Sequence, residues 1–184
     1  MTHLAIYADQ APHAEIDSSA DFGDISAVLA EAGIGLERWQ AGAALGDAPA
    51  DAAILAAYAP QVAALQARGG YRSVDVVRLT PDHPAAADMR AKFLAEHVHD
   101  DDEVRFFVEG AGLFYIRHGG QVLALECTAG DLIVLPAGTR HWFDTGAAPR
   151  FTAIRLFTTP EGWVARFTGD AIASAIPLYA GAAA

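Results

Sequence analysis

Short apolar runs, separated by turns that contain glycine, dominate the chain from residue 71 onward. They recur at a spacing of roughly 8–12 residues, which is typical of an antiparallel sandwich or barrel. The runs are VRFFVEG, GLFYIR, QVLALEC, DLIVLP and FTAIRLF. The tripeptide His118-Gly119-Gly120 between the second and third runs predicts a tight hairpin turn. The sequence therefore predicts a mainly β part over about residues 71–170.

The first third of the chain has a different pattern. Apolar residues between Ile25 and Ala32 recur with the spacing of one helix face. Asp51 is expected to cap a second helix, and Pro60 is expected to open a third at its first position, where the missing N–H costs nothing. We therefore expect one domain over residues 1–184, in which a helical part at about 20–70 packs on the β part.

Composition excludes several classes of function. The chain has 23 acidic and 12 basic residues and a formal net charge of −11. We therefore expect no nucleic-acid partner and no anionic membrane surface, since both need a basic face. No apolar run reaches the roughly 18–20 residues of a membrane span, and the N-terminus lacks the pattern of a signal peptide, so we expect a cytoplasmic protein.

Cysteine usage restricts the kind of metal site that the chain can form. Cys127 is the only cysteine, so an intrachain disulfide and a zinc site built on several thiolates are both excluded. We interpret Cys127 itself as a small buried hydrophobic residue. Any metal ion would need nitrogen and oxygen ligands.

One segment combines titratable residues with the periodicity of a strand. His97 and His99 lie two residues apart, and Glu103 and Arg105 share their odd parity. Because strand side chains alternate between faces, His97 and His99 would point the same way, as would Glu103 and Arg105. The opposite parity carries apolar residues, namely Val104, Phe106 and Val108. A polar face of this kind can point into a barrel if it surrounds a metal or a ligand.

A second segment supplies a further imidazole, because the turn Pro136-Ala137-Gly138 precedes His141. Three imidazoles and one carboxylate suit Fe(II), Ni(II), Mn(II) or Zn(II), and they leave positions open if the metal is octahedral. A His-x-His pair taken alone is more often a solvated polar stretch. The joint spacing of the two segments favours a metal site over that interpretation.

The two segments resemble the paired motifs of the cupin superfamily, G-x5-H-x-H-x3-E-x6-G and G-x5-P-x-G-x2-H-x3-N. Two positions depart from them, Ala91 at the first glycine and Thr145 at the closing asparagine, and neither is a ligand position. The runs EHVHDDDEVRFFVEGAGLFYI, PAGTRHWFD and FTAIRLFTTPEGWVA resemble, more narrowly, the acireductone dioxygenases of methionine salvage. The upstream run GGYRSVDVVRLTPDHP fits the same family, and the resemblance covers roughly residues 50–175.

The resemblance implies a cupin-type antiparallel β-barrel, or jelly roll, with peripheral helices. It implies one Fe(II) or Ni(II) ion per monomer, bound by His97, His99, Glu103 and His141. The implied substrates are O₂ and an enediol, 1,2-dihydroxy-3-keto-5-methylthiopentene. The iron form would give 4-methylthio-2-oxobutanoate and formate. The nickel form would give 3-(methylthio)propanoate, formate and carbon monoxide.

The resemblance also assigns roles to three neighbours of the ligands. Arg105 would stabilise the substrate dianion, Glu96 would assist metal incorporation and Asp102 would relay conformational change. Taken from the residues alone, Glu96 and Asp102 read as a solvated acidic patch, and a surface ion pair is the alternative for Arg105.

The remaining candidates concern the substrate pocket. Arg155 either supports the pocket or caps a surface. Phe93, Phe143 and Trp163 would line a slot for the thioether tail, because sulfur packs well against aromatic rings, although aromatic residues more often belong to a plain core. We expect a monomer. The alternative functions are another metallocupin dioxygenase or isomerase, and a non-catalytic cupin that binds a small molecule.

Overall fold

The computed structural model describes residues 1–40, 45–46, 49–159 and 164–181, and antiparallel strands dominate them. In chain order these strands are β1 His3–Ala8, β2 Glu15–Ser19, β3 Gly35–Arg38, β4 Ser73–Leu79, β5 His97–Val98, β6 Glu103–His118, β7 Gln121–Thr128, β8 Asp131–Leu135, β9 His141–Asp144, β10 Phe151–Phe157 and β11 Arg166–Phe167. The helices are α1 Phe22–Glu31, α2 Asp51–Ala57, α3 Ala59–Gly69 and α4 Ala86–Phe93, and a 3₁₀ turn covers Ala171–Ser174.

The strands form two antiparallel sheets that share β6. The first sheet has the order β11-β5-β9-β6-β7-β1-β2, and the second has the order β4-β10-β6-β8-β3. The predicted mainly β fold with peripheral helices is confirmed. None of the helices in the described ranges is long and apolar enough to cross a membrane.

A single strand runs through Gly110, where the sequence predicted two. β6 continues from Glu103 to His118 because Gly110 keeps its place in the strand with a φ of 74°. A β-carbon at this position would lie 1.8 Å from the carbonyl oxygen of Arg150. The pairing of β6 with β10 skips Val108, which is a β-bulge. The bulge and the glycine let one strand serve both sheets.

The predicted hairpin at the far end of β6 is confirmed. Gly119 and Gly120 have φ values of 57° and 79°. A two-residue turn that matches the twist of its strands needs positive φ at both positions, and glycine adopts it without steric cost. His118 consequently pairs with Gln121, and β7 returns along β6.

Two helix ends coincide with residues that can cap them. The side chain of Asp21 accepts two backbone hydrogen bonds at the start of α1, and Gly70 ends α3 with a φ of 71°. The prediction that Asp51 caps α2 is wrong. Ala50 occupies the cap, and Asp51 lies in the first turn, where its charge still suits the helix dipole. The range 20–70 also contains β3, which pairs with β8.

Apolar side chains form three clusters around the sheets. The central cluster joins the two sheets and includes Leu4, Phe107, Phe114, Leu125 and Ile133. A second cluster packs α2 and α3 against the second sheet, and a third packs the C-terminal 3₁₀ turn against the first sheet. Cys127 lies buried in the central cluster, as expected.

A buried carboxylate connects the N-terminal strand to the turn between β7 and β8. Asp131 is 0% exposed and accepts hydrogen bonds from the hydroxyl of Thr2 and the backbone N–H of Thr128. The guanidinium of Arg38, at the end of β3, lies 3.0 Å from the other carboxylate oxygen. One side chain therefore holds three distant segments together.

We predict that Asp131→Asn lowers the free energy of unfolding by roughly 2–4 kcal/mol, because the amide removes the charge and leaves buried donors without acceptors. Urea unfolding followed by circular dichroism measures this change. The matched control is Glu37→Gln, which breaks an exposed ion pair with Arg68 and is expected to cost less than about 1 kcal/mol. A cost for Asp131→Asn no larger than that of the control would contradict the prediction.

Candidate metal centre

The two sheets together place the predicted ligands at one point. His97 opens β5 and pairs across the sheet with His141, which opens β9. Glu103 is the first residue of β6 and pairs with Leu135 of β8, so the second sheet supplies the carboxylate. His99 follows β5 directly, and its carbonyl accepts from the backbone N–H of Gly138, in the turn before His141. Strand pairing thus brings together His97 and His141, which are 44 positions apart in the chain.

The four side chains form a buried group with the spacing of metal ligands. Their ligand atoms all lie within 4.8 Å of one another, and each side chain is buried. Glu103 Oε2 lies 3.0 Å from His141 Nε2 and 3.2 Å from His99 Nε2. Adjacent ligands of an octahedral ion are about 3 Å apart when each lies about 2.1 Å from the metal. The residues present therefore fit a divalent ion such as iron or nickel.

Backbone carbonyls orient two of the imidazoles. His97 Nδ1 lies 2.7 Å from the carbonyl oxygen of Ala95, and His141 Nδ1 lies 2.8 Å from that of Thr139. A carbonyl only accepts, so each Nδ1 carries the proton and donates it. The lone pair of each ring is then on Nε2, which is the nitrogen that a metal would need.

The electrostatics of the group favour an ionised carboxylate beside a neutral imidazole. Burial lowers the pKa of His97 to about 4, so this ring is neutral near pH 7. Burial acts to raise the pKa of Glu103, but the charge of Arg105 and the close contacts with the rings of His141 and His99 hold that pKa well below its usual value. Burial opposes protonation of His99, yet the hydrogen bond with Glu103 raises the pKa of His99 overall.

Arg105 lies beside the ligand carboxylate and is itself buried. Its Nη2 donates to Glu103 Oε1 over 2.8 Å, while Oε2 faces the imidazoles. Its guanidinium carbon lies 4.4 Å from the ring centre of Phe143. The alternative of a surface ion pair with a neighbouring aspartate is therefore wrong. Parity had correctly placed Arg105 and Glu103 on one face of the strand.

A cavity of about 220 Å³ opens onto the ligand group. Besides the ligands His97, His99 and Glu103, its lining consists of Lys92, Phe93, Arg105, Phe143, Arg155 and Ala165. The ring centres of Phe93 and Phe143 lie 6.5 Å apart, so they form an apolar wall beside charged groups. Trp163 lies outside the described residues.

Arg155 belongs to the cavity and is held there by a carboxylate. Its Nε and Nη2 donate to the two oxygens of Asp75 over 2.9 Å and 2.7 Å. Of the two predicted alternatives, the structure therefore supports a place in the pocket. Sequence reasoning missed Asp75, although its position opposite Arg155 follows from the pairing of β4 with β10.

Glu96 is buried, which contradicts its interpretation as part of a solvated patch. It is 2% exposed, accepts from Thr168 Oγ1 over 2.7 Å and lies 3.2 Å from Arg117 Nη1. Thr168 also donates its backbone N–H to the carbonyl of Glu96, so the segment after β11 is fastened beside His97. Sequence reasoning missed Arg117 and Thr168, and no local signal marks them.

Asp102 braces two loops next to the ligands and is only half-buried. Its carboxylate accepts from the hydroxyl of Tyr71 over 2.9 Å and from the backbone N–H of Ala137 over 3.0 Å. Ala137 belongs to the turn that aims His141. The solvated interpretation of Asp102 is therefore wrong as well, because both carboxylate oxygens hold protein groups.

Comparison with known proteins agrees with this geometry. The model of the ARD/ARD' family matches residues 3–165. The chain belongs to this family. Among family members, the acireductone dioxygenase of Parvibaculum lavamentivorans is 56% identical over 97% of both chains. That of a Synechococcus species is 52% identical over 97% of this chain and 99% of its own.

A solved structure of the family shows the same fold with a metal. The acireductone dioxygenase from Bacillus anthracis, with a cadmium ion in its active centre, matches with a TM-score of 0.78 and 32% identity. The match covers 91% of this chain and 98% of that one. The resemblance to acireductone dioxygenases predicted from the sequence motifs is thus confirmed, and the cadmium ion shows that the family fold holds a metal in its active centre.

We predict that His97→Ala reduces the bound metal from about one ion per chain to a small fraction, because the variant loses one of four donors. Elemental analysis after anaerobic loading and desalting measures the change. His83→Ala is the matched control, since His83 is exposed and lies outside the group. Full metal content in His97→Ala would contradict the assignment.

Proposed function

We propose that this protein is a metal-dependent dioxygenase of methionine salvage that cleaves acireductone with O₂. The observation that carries the proposal is a buried set of three histidines and one glutamate that faces a cavity with two arginines and a phenylalanine wall. Relatives named acireductone dioxygenase match nearly the whole chain, which supports the same activity here.

The four ligand side chains would hold Fe(II) or Ni(II), one ion per monomer, and the protein would work in the cytoplasm. When bound, the metal supplies a Lewis acid that favours the ionised form of an enediol. The iron form would give 4-methylthio-2-oxobutanoate and formate. The nickel form would give 3-(methylthio)propanoate, formate and carbon monoxide. In both outcomes the two oxygen atoms of O₂ enter the products.

The side chains around the ligands would contact different parts of the substrate. Arg105 places a buried positive charge on the cavity wall, where it would stabilise the dianion of the substrate. Arg155, fixed by Asp75, adds a second cation with a defined orientation. Phe93 and Phe143 offer rings to the thioether tail. The oxygen end and the tail are thereby given different surroundings, which orients the substrate.

The segment around β11 shields the ligand group. Phe167 pairs with His97 across the sheet, and its ring centre lies 5.9 Å from that of His97. Ala165 contributes to the cavity wall. This cover would keep bulk water from the electron-rich enediolate. Glu96 would hold the segment in place through Thr168, in addition to its expected role in metal incorporation. Asp102 would couple movement of its two loops to the ligands.

Anaerobic reconstitution tests the proposal. We expect acireductone consumption with Fe(II) and with Ni(II), and carbon monoxide release only with Ni(II), measured by loss of substrate absorbance and by gas analysis. The matched control is His97→Ala taken through the same loading. Absence of turnover with either metal in the unaltered protein would overturn the proposal.

We also predict that Asp75→Asn raises the KM for acireductone roughly three- to tenfold with little change in metal content, because Arg155 loses its bidentate partner. If Asp75 acts through Arg155, its substitution has no further effect in an Arg155→Met background. Steady-state kinetics on the two single variants and the double variant measure this coupling. Additive effects would show that Asp75 acts by another route.

A further inference from the structure

The cations of the cavity differ in how their charge is balanced. Arg105 donates to Glu103, and Arg155 donates to both oxygens of Asp75. Lys92 lines the same cavity and is exposed to solvent. Within the described parts of the chain, the ion pairs and hydrogen bonds of side chains do not include one made by Lys92. Among the three cations that line this cavity, Lys92 is therefore the one without an ion pair to a carboxylate of the described residues.

The backbone that carries Lys92 is firmly placed. α4 ends one residue later, at Phe93, whose ring belongs to the cavity wall. Arg90 holds the helix to β9 through a bidentate pair with the buried Asp144, with distances of 2.7 Å and 3.1 Å. Met89 packs against the central cluster. The lysine stem therefore starts from a rigid position beside the cavity, although its ammonium group is free to move.

A cation at this position solves an electrostatic problem of the molecule. The chain carries a formal charge of −11, so its overall field repels an anion. An enediol conjugated to a carbonyl is a vinylogous acid and is ionised near neutral pH. A cation that is already paired adds little to the field outside the cavity, whereas an unpaired cation at the entrance attracts the anion and raises its local concentration.

We propose that Lys92 is a specificity-determining residue that draws the anionic, chelating end of the substrate into the cavity. This inference rests on the proposed function for the identity of the substrate, but not for its charge. The competing explanation is that Lys92 only complements the dipole at the end of α4, where cations are favourable. That role would change stability and leave anion binding unaltered.

The first test compares kcat/KM at about 10 mM and about 300 mM ionic strength. Salt screens the attraction between the lysine and an anion weakly at the lower ionic strength and strongly at the higher one. Lys92→Gln is expected to lower kcat/KM roughly fivefold at low ionic strength, with a much smaller loss at high ionic strength. Lys92→Arg is expected to stay within about twofold of the unaltered protein. Arg150→Gln, an exposed position outside the cavity, controls for the same change in net charge.

The second test does not depend on turnover. Oxalate, a small chelating dianion, is titrated calorimetrically into Ni(II)-loaded protein without O₂. Lys92→Gln is expected to weaken oxalate binding relative to Arg150→Gln, with equal metal content and equal melting temperature in both variants. If the unaltered protein fails to consume acireductone while oxalate binding still depends on Lys92, the proposed function is wrong. The inference that Lys92 draws an anion into the cavity is then still supported. The inference would be overturned if the two variants had equal oxalate binding and equal kcat/KM. It would also be overturned if oxalate binding by Lys92→Gln fell only in proportion to a lower melting temperature.

Discussion

Burial of the Glu103 carboxylate is the interaction on which the rest of the site depends. A charge removed from water is costly unless other charges and hydrogen bonds surround it. Arg105 meets one of its oxygens, and the Nε2 atoms of His99 and His141 meet the other. These contacts require the start of β6, which belongs to the second sheet, to lie close to the start of β9 and the residue after β5 in the first sheet. The strand arrangement therefore determines the ligand geometry.

The same solution recurs elsewhere in the molecule. Four acidic side chains of the described residues are buried, and each one contacts an arginine. The pairs are Glu96 with Arg117, Glu103 with Arg105, Asp131 with Arg38 and Asp144 with Arg90. A planar guanidinium can bind two oxygens in a fixed orientation, which a lysine ammonium cannot do. Among these four pairs Arg90 binds both oxygens of its carboxylate, whereas the other three arginines each contact one oxygen. The single lysine, Lys92, is instead an exposed cation at the cavity.

Two local patterns were reliable because a short stretch of chain decides their outcome. Alternation placed Glu103 and Arg105 on one face of a strand, and paired glycines predicted the turn after His118. Prediction failed where distant segments decide. Gly110 looks like the end of a strand, but β6 continues through it, because a glycine adopts the positive φ and leaves room for the carbonyl of Arg150. Glu96 looks solvated in an acidic run, but Thr168 and Arg117 come from segments more than 20 residues away.

The sequence by itself determined the chemistry available to this protein. A single cysteine, three histidines and one glutamate at characteristic spacings specify nitrogen and oxygen ligands, and the motifs around them specify the family. Only the tertiary structure decided how charge is distributed around those ligands. Ion pairs such as Arg155 with Asp75 join residues on different strands, so their existence depends on sheet register. That register pairs Arg155 of the cavity with a carboxylate, whereas Lys92, on α4, makes no ion pair within the described part of the chain.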